Sequence, residues 1–155
     1  MTRIGLSLGF ALMALAPLSA TAQDQANIMQ PNGIKWAAAP PALPKGAQIA
    51  VLSGDPGKEG PFVIRLKLPS GYKVPAHMHP GDENLTVISG TLNYGMGDKL
   101  DPKKGEALKP GGFVYMPKGM HHYAWASGET VVQLHGVGPF AITYVNAADD
   151  PRKTN

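Results

Sequence analysis

Glycine and proline set the first constraint on this chain. There are 19 Gly and 15 Pro among its 155 residues, and they fall between short apolar or alternating runs instead of collecting in one low-complexity block. Punctuation this close leaves little room for long helices and favours strands. Strand character is readable over residues 48–53, 62–68, 72–76, 85–89, 91–96, 112–116, 122–126, 130–135 and 140–145, each short and bounded by a turn signal. Two connections have specific chemistry. Gly54-Asp55-Pro56-Gly57 is a tight-turn sequence, and Asp101-Pro102-Lys103-Lys104-Gly105 predicts a single helical turn, capped by Asp101 and closed by Gly105. About eight to ten short strands in one all-β domain point to a jelly roll or related barrel, which removes exposed sheet edges by closing or doubling the sheet. No motif occurs twice, so a two-barrel arrangement is not expected.

The N-terminus reads as an export signal. Met1-Thr2-Arg3 gives a positive start, residues 4–18 an apolar stretch, and Ala20-Thr21-Ala22 a small-residue cleavage site. The apolar stretch is broken by Pro17 and falls short of the ~20 residues that a spanning helix needs. The expected organisation is a signal peptide over 1–22, an extended Pro/Ala-rich arm over 23–46 pinned by Trp36, a barrel over 47–146, and a polar tail over 147–155. The processed protein is then periplasmic or secreted, with no membrane segment. It has no cysteine, so its stability comes from packing and from any bound metal, not from disulfides.

Charge excludes one class of partner. The 14 Lys and Arg against 11 Asp and Glu are dispersed, with no dense basic run or basic helix to track phosphates, so nucleic-acid binding is not expected. The mild positive bias leaves room for an anionic small molecule.

The chemistry concentrates in two stretches. In the first, His77 and His79 are separated by one residue, which on a strand directs both imidazoles to one face and Met78 to the other. The turn at Pro80-Gly81-Asp82 then brings Glu83 back towards the pair. In the second, Pro117 and Gly119 fix a turn that presents His122. Three imidazoles and one carboxylate suit a divalent transition metal (Fe, Mn, Ni, Cu or Zn) better than Ca²⁺ or Mg²⁺, which prefer oxygen-only sites.

These stretches resemble the paired signatures of the cupin superfamily. Gly71, five residues, His77, one, His79, three, Glu83, six, Gly90 fills every position of the first. Gly111, five, Pro117, one, Gly119, two, His122 matches the second until its last slot, where Ala126 stands for Asn. The departure leaves the four ligands intact and bears only on a supporting hydrogen bond that the resemblance would imply. The resemblance spans about residues 48–145, and the run from His135 to Asn146 is similar to that of small exported bacterial cupins. It implies a single RmlC-like cupin jelly roll with one metal on His77, His79, Glu83 and His122. It also implies open coordination positions of the kind used by dioxygenases, oxalate-processing enzymes, lyases and isomerases.

Around this centre, Gln133 and His135 share one strand face and are candidates to reach substrate or ordered water, and Arg65 is a candidate for a substrate carboxylate. Tyr94 and Tyr115 are candidate pocket walls, while Met96 and Met116 read as core. His121 is expected to face away from His122, with exchange of roles as the alternative. Asp82 reads as a turn residue. The expected function is a metal-dependent enzyme of oxygenase, decarboxylase, lyase or isomerase type acting on a small oxygenated or carboxylated molecule. The alternative is a non-catalytic metal- or ligand-binding module, as in the zinc-bearing cupin domain of some anti-sigma factors. A homodimer is compatible with either.

Overall fold

The computed structural model describes residues 26–153, so the expected signal peptide lies outside the described residues. Eleven strands run in chain order: β1 (Ala37–Ala38), β2 (Gln48–Ser53), β3 (Gly60–Leu68), β4 (Lys73–Met78), β5 (Glu83–Ser89), β6 (Leu92–Met96), β7 (Glu106–Leu108), β8 (Phe113–Met116), β9 (His122–Ala126), β10 (Thr130–Gly138) and β11 (Thr143–Tyr144). Among the described residues the helical elements are two single 3₁₀ turns, Pro31–Gly33 and Ala147–Asp149, and no helix is long and apolar enough to cross a membrane.

The strands form two antiparallel sheets, ordered β1-β2-β3-β10-β5-β8 and β11-β4-β9-β6-β7. Side-chain alternation explains why they face each other. In β3, Phe62, Ile64 and Leu68 are buried while Val63, Arg65 and Lys67 are only partly covered. In β10, Val132 and Leu134 are buried between Val131, Gln133 and His135. Nine residues of β10 pair with β3, from Thr130 opposite Leu68 to Gly138 opposite Gly60, so the two apolar rows stay in step along the whole ladder. Val74, Leu92, Tyr94, Ala124 and Ala126 supply the other side of the core from the second sheet. The result is the doubled-sheet jelly roll expected of the strand pattern.

Two strands escape the sequence pattern because they are short and carry small or polar residues: Ala37–Ala38 and Glu106–Leu108. The first belongs to the arm, which adds itself to the larger sheet by pairing with β2. The Lys67 ammonium sits 4.5 Å from the centroid of the Trp36 ring. The arm is also tied to the second sheet, because the Tyr72 hydroxyl donates to the Pro44 carbonyl and the Tyr144 hydroxyl to that of Ala42 (2.8 Å). The expected helical turn after Asp101 is instead a simple turn. Lys104 N–H donates to the Asp101 carbonyl and Lys103 N–H to its carboxylate, so the Asx geometry closes the chain before a helix can start. The expected strand over 140–145 shortens to β11. Met96, expected in the core, is half exposed, whereas Met116 is buried.

Gly90, in the tight β5–β6 connection, has φ +80, and a Cβ there would run into the Glu129 carbonyl and the Thr130 hydroxyl. Both a left-handed backbone and a backbone clash therefore oppose any side chain. Gly90→Ala is expected to destabilise the protein by about 2 kcal/mol or more, read from urea unfolding. A midpoint equal to that of the wild type would refute the assigned turn geometry.

Candidate metal centre

His77 is the penultimate residue of β4 and His122 opens β9, and the two are directly opposed in the ladder, with ring centroids 4.2 Å apart. His79 lies just past β4, on the same side as His77, and Glu83 opens β5. Two backbone ties hold the motif loops together: Gly119 N–H donates to the His79 carbonyl (2.9 Å), and Lys118 N–H donates to the Asp82 carboxylate (2.9 Å). Asp82 is thus the turn residue expected, and it fastens one loop to the other.

All four of His77, His79, Glu83 and His122 are buried, at 5, 7, 4 and 1 % exposure. The Nδ1 atom of each histidine faces a main-chain carbonyl: Pro75 for His77 (2.7 Å), Ala141 for His79 (2.7 Å) and Met120 for His122 (3.0 Å). A carbonyl only accepts, so Nδ1 carries a hydrogen in each ring, and in the neutral imidazole Nε2 is left with its lone pair. The ligand atoms of the three rings lie within 4.8 Å of one another. The Nε2 atoms of His79 and His122 are buried without any hydrogen-bond partner. Buried polar atoms are seldom left so, and two convergent lone pairs on rings whose other nitrogens are anchored fit a transition-metal ion.

Glu83 Oε2 lies 3.3 Å from His122 Nε2 and 3.9 Å from His79 Nε2, and it accepts a 2.9 Å hydrogen bond from the Tyr94 hydroxyl. The Tyr94 ring stacks on His122, and Phe140 stacks on His79 with centroids 4.2 Å apart. Burial first, then the neighbouring imidazoles, holds His77 down to about 3. His79 is lowered chiefly by burial, against the opposing pull of Glu83. For Glu83, burial pushes upward, but the contact with His122 and the other two histidines outweighs it and brings the carboxyl down to about 2. Burial raises the Tyr94 phenol, as do Glu83's charge and hydrogen bond, so it stays a proton donor. At neutral pH the centre therefore presents neutral His77 and His79 beside an ionised carboxylate inside an apolar barrel, which favours a bound cation.

The three histidines and Glu83 line a cavity of about 340 Å³ between the sheets, together with Tyr94. The second-tier candidates do not line it. Arg65 and Gln133 lie on the other face of the larger sheet, where Arg65 Nε donates to Gln133 Oε1 (3.0 Å). His135 is exposed on the same row. Tyr115 is half exposed and donates to Asp82. The reason is parity: Ile64, Leu66, Val132 and Leu134 take the inward positions, and burying those apolar rows forces their polar neighbours outward. His121 likewise faces away from the centre, with its Nδ1 2.6 Å from Asp98 Oδ1.

Sequence reasoning missed three contributions. Tyr94 was legible only as a wall, because its bond to Glu83 depends on a neighbouring strand. The carbonyl anchors of Pro75, Met120 and Ala141 leave no side-chain signal. Arg152, on the cavity rim, comes from a tail with no strand pattern.

Fold and site together define a cupin. The chain belongs to the family of ChrR cupin-like domains, whose profile matches residues 24–141. It is 31 % identical over 109 residues to the nitrosourea synthase of Streptomyces achromogenes subsp. streptozoticus, a match that covers 69 % of this chain but only 22 % of that enzyme. Among solved structures it is similar to the polyketide cyclase RemF from Streptomyces resistomycificus (TM-score 0.64, 17 % identity, 82 % of this chain and 90 % of that one). It is also similar to a putative acetylacetone dioxygenase from Methylibium petroleiphilum PM1 (TM-score 0.62, 18 % identity, 84 and 88 %). The anti-sigma factor ChrR, solved with SigE of Rhodobacter sphaeroides, aligns with TM-score 0.51 and 17 % identity over 69 % of this chain and 51 % of that one. At these identities the structural matches carry the fold alone.

The depressed imidazoles give a pH signature. An unfolded chain protonates His77 near 6.5, the folded chain only near 3, so between these values the unfolded state binds more protons and acid destabilises the fold. Metal-free protein is expected to lose up to about 1.4 kcal/mol per pH unit from this residue as pH falls from 6.5 towards 4. The loss should be smaller in His77→Gln. Urea titrations across that range check it, and stability that rises on acidification would contradict the assignment.

Proposed function

We propose that this chain is an exported metal-dependent cupin enzyme, holding one divalent transition metal on His77, His79, His122 and Glu83 and acting on a small oxygenated or carboxylated molecule. The observation that carries this reading is the convergence of buried, carbonyl-anchored imidazoles with unpartnered Nε2 atoms at the wall of a cavity. A closed structural site would have no such space beside it. Fe, Mn, Ni, Cu or Zn would each suit this donor set. When bound, the metal would polarise an oxygen function of the substrate, lower the pKa of a bound water, or, if redox-active, take part in electron transfer.

The chain's own residues do the rest. Tyr94 keeps one lone pair of Glu83 occupied and fixes the carboxylate's orientation. The Pro75, Ala141 and Met120 carbonyls lock the ring orientations. Phe140 and Tyr94 pack flat against two of the imidazoles and shield them from water. The solved cyclase and the putative dioxygenase among the similar folds support an enzymatic reading by analogy only. A second reading, a non-catalytic metal- or ligand-binding module, draws on the family itself and on the anti-sigma ChrR, of which this chain's match covers about half.

Protein recovered from the periplasm is expected to begin at Gln23 by intact mass and to contain stoichiometric metal by elemental analysis. His79→Ala or His122→Ala should abolish that stoichiometry, while Tyr94→Phe should retain metal with affinity reduced about ten-fold. Protein loaded in turn with Fe²⁺, Mn²⁺, Ni²⁺, Cu²⁺ and Zn²⁺ should turn over at least one member of an organic-acid, phenol and diketone panel. No turnover with any metal would leave the binding-module reading in its place, and undiminished metal in His79→Ala would overturn the ligand set.

A further inference from the structure

The cavity beside the centre is unusual in what it lacks. Of its 23 lining residues, 17 are apolar, and the others are the three histidines, Glu83, Tyr94 and Arg152. All but Arg152 of that polar set cluster at the metal centre, so the rest of the wall offers a ligand hydrocarbon surface: Ile64, Leu66, Val132 and Leu134 from the larger sheet, Leu43 from the arm and Ile142 from the C-terminal segment. Among the described residues no lysine lines the cavity. Its single arginine is already engaged, because Asp150 accepts from Arg152 Nε (2.7 Å) and Nη2 (2.8 Å), and Nη2 also reaches the Ile142 carbonyl (3.3 Å). Asp150 is itself buried. The pair presents no net charge to the cavity rim, and the buried Glu83 carboxylate disfavours a second anion inside.

We propose that the substrate or ligand is a compact, uncharged molecule with oxygen donors at one end and an apolar body of several carbons, and that the arm residue Leu43 and Ile142 select for that body. Only the polar end rests on the metal-centre reading; the apolar end rests on the cavity wall. The wall is ordered from outside as well as within. The turn of the arm that holds Leu43 is fixed by the Tyr72 and Tyr144 hydroxyls, which donate to the Pro44 and Ala42 carbonyls on either side of it, and Ile142 sits next to Ala141, whose carbonyl anchors His79. A small dicarboxylate would leave this wall bare and would place charge against hydrocarbon, which costs far more than the contacts it gains. An alkyl group would replace water there, with about a four-fold gain in affinity per buried methylene.

The test is calorimetric titration of the full mature protein, zinc-loaded and metal-free, with catechol, 4-methyl-, 4-ethyl- and 4-propylcatechol, and with oxalate and malonate. Zinc is chosen because it carries no redox chemistry. The expected result is an affinity that rises about three- to four-fold per added carbon in both forms, with the propyl compound well ahead of either dicarboxylate. Leu43→Gln and Ile142→Gln should cut that gain below two-fold per carbon without altering metal content. A flat series, or malonate binding as tightly as 4-propylcatechol, would overturn the inference. Were zinc not to bind while the carbon dependence persists in metal-free protein, the metal-centre reading would fail and the apolar-body assignment would stand.

Discussion

Three hydrogen bonds from histidine Nδ1 to main-chain carbonyls decide what this barrel can do. An imidazole with Nδ1–H committed has one lone pair left, on Nε2, and a fixed direction in which to offer it. The carbonyls belong to Pro75 and Met120, each two residues before its histidine, and to Ala141, 62 residues beyond His79. Two anchors are therefore built into the local strand geometry and one depends on the C-terminal segment crossing the site. The third ring is oriented only when the whole jelly roll has closed, which couples the centre to global folding.

The sheets supply the second constraint. Pairing β3 with β10 over nine residues puts two apolar rows in step, and the same inward parity that forms the core forms the cavity wall. A carboxylate buried in such a place is costly without a counter-charge, and among the cavity-lining residues the one permanent cation is Arg152, already paired to Asp150. The Glu83 carboxyl is held well below its usual range and accepts from the Tyr94 hydroxyl, while burial keeps His77 neutral. Packing and electrostatics thus favour the same kind of ligand, a small cation at the three imidazoles on one side of an otherwise hydrocarbon chamber.

Much of this was legible in the chain because it is local. Residue spacing identified His77, His79 and His122 as partners, the turn at residues 80–82 brought Glu83 beside them, and β2 and β9 have the bounds their alternation predicts. The failures have a common cause. Gln133, His135, Arg65 and Tyr115 were legible as polar rows, but which row faces inward is set by competition between two faces of a strand, and Val132, Leu134, Ile64 and Leu66 win it by burial. β1 and β7 carry too little side-chain pattern to be seen at all. The carbonyl that orients His79 is invisible in sequence, since any residue other than Ala at position 141 would offer the same atom.

The central claim, that the chain itself presets the three imidazoles to receive a metal, is tested most directly by long-range ¹H–¹⁵N correlation of the histidine rings in metal-free protein near pH 7. The account predicts that His77, His79 and His122 are all Nδ1–H tautomers with unprotonated Nε2. Any of the three found as the neutral Nε2–H tautomer, or His77 or His79 found doubly protonated at that pH, would contradict it.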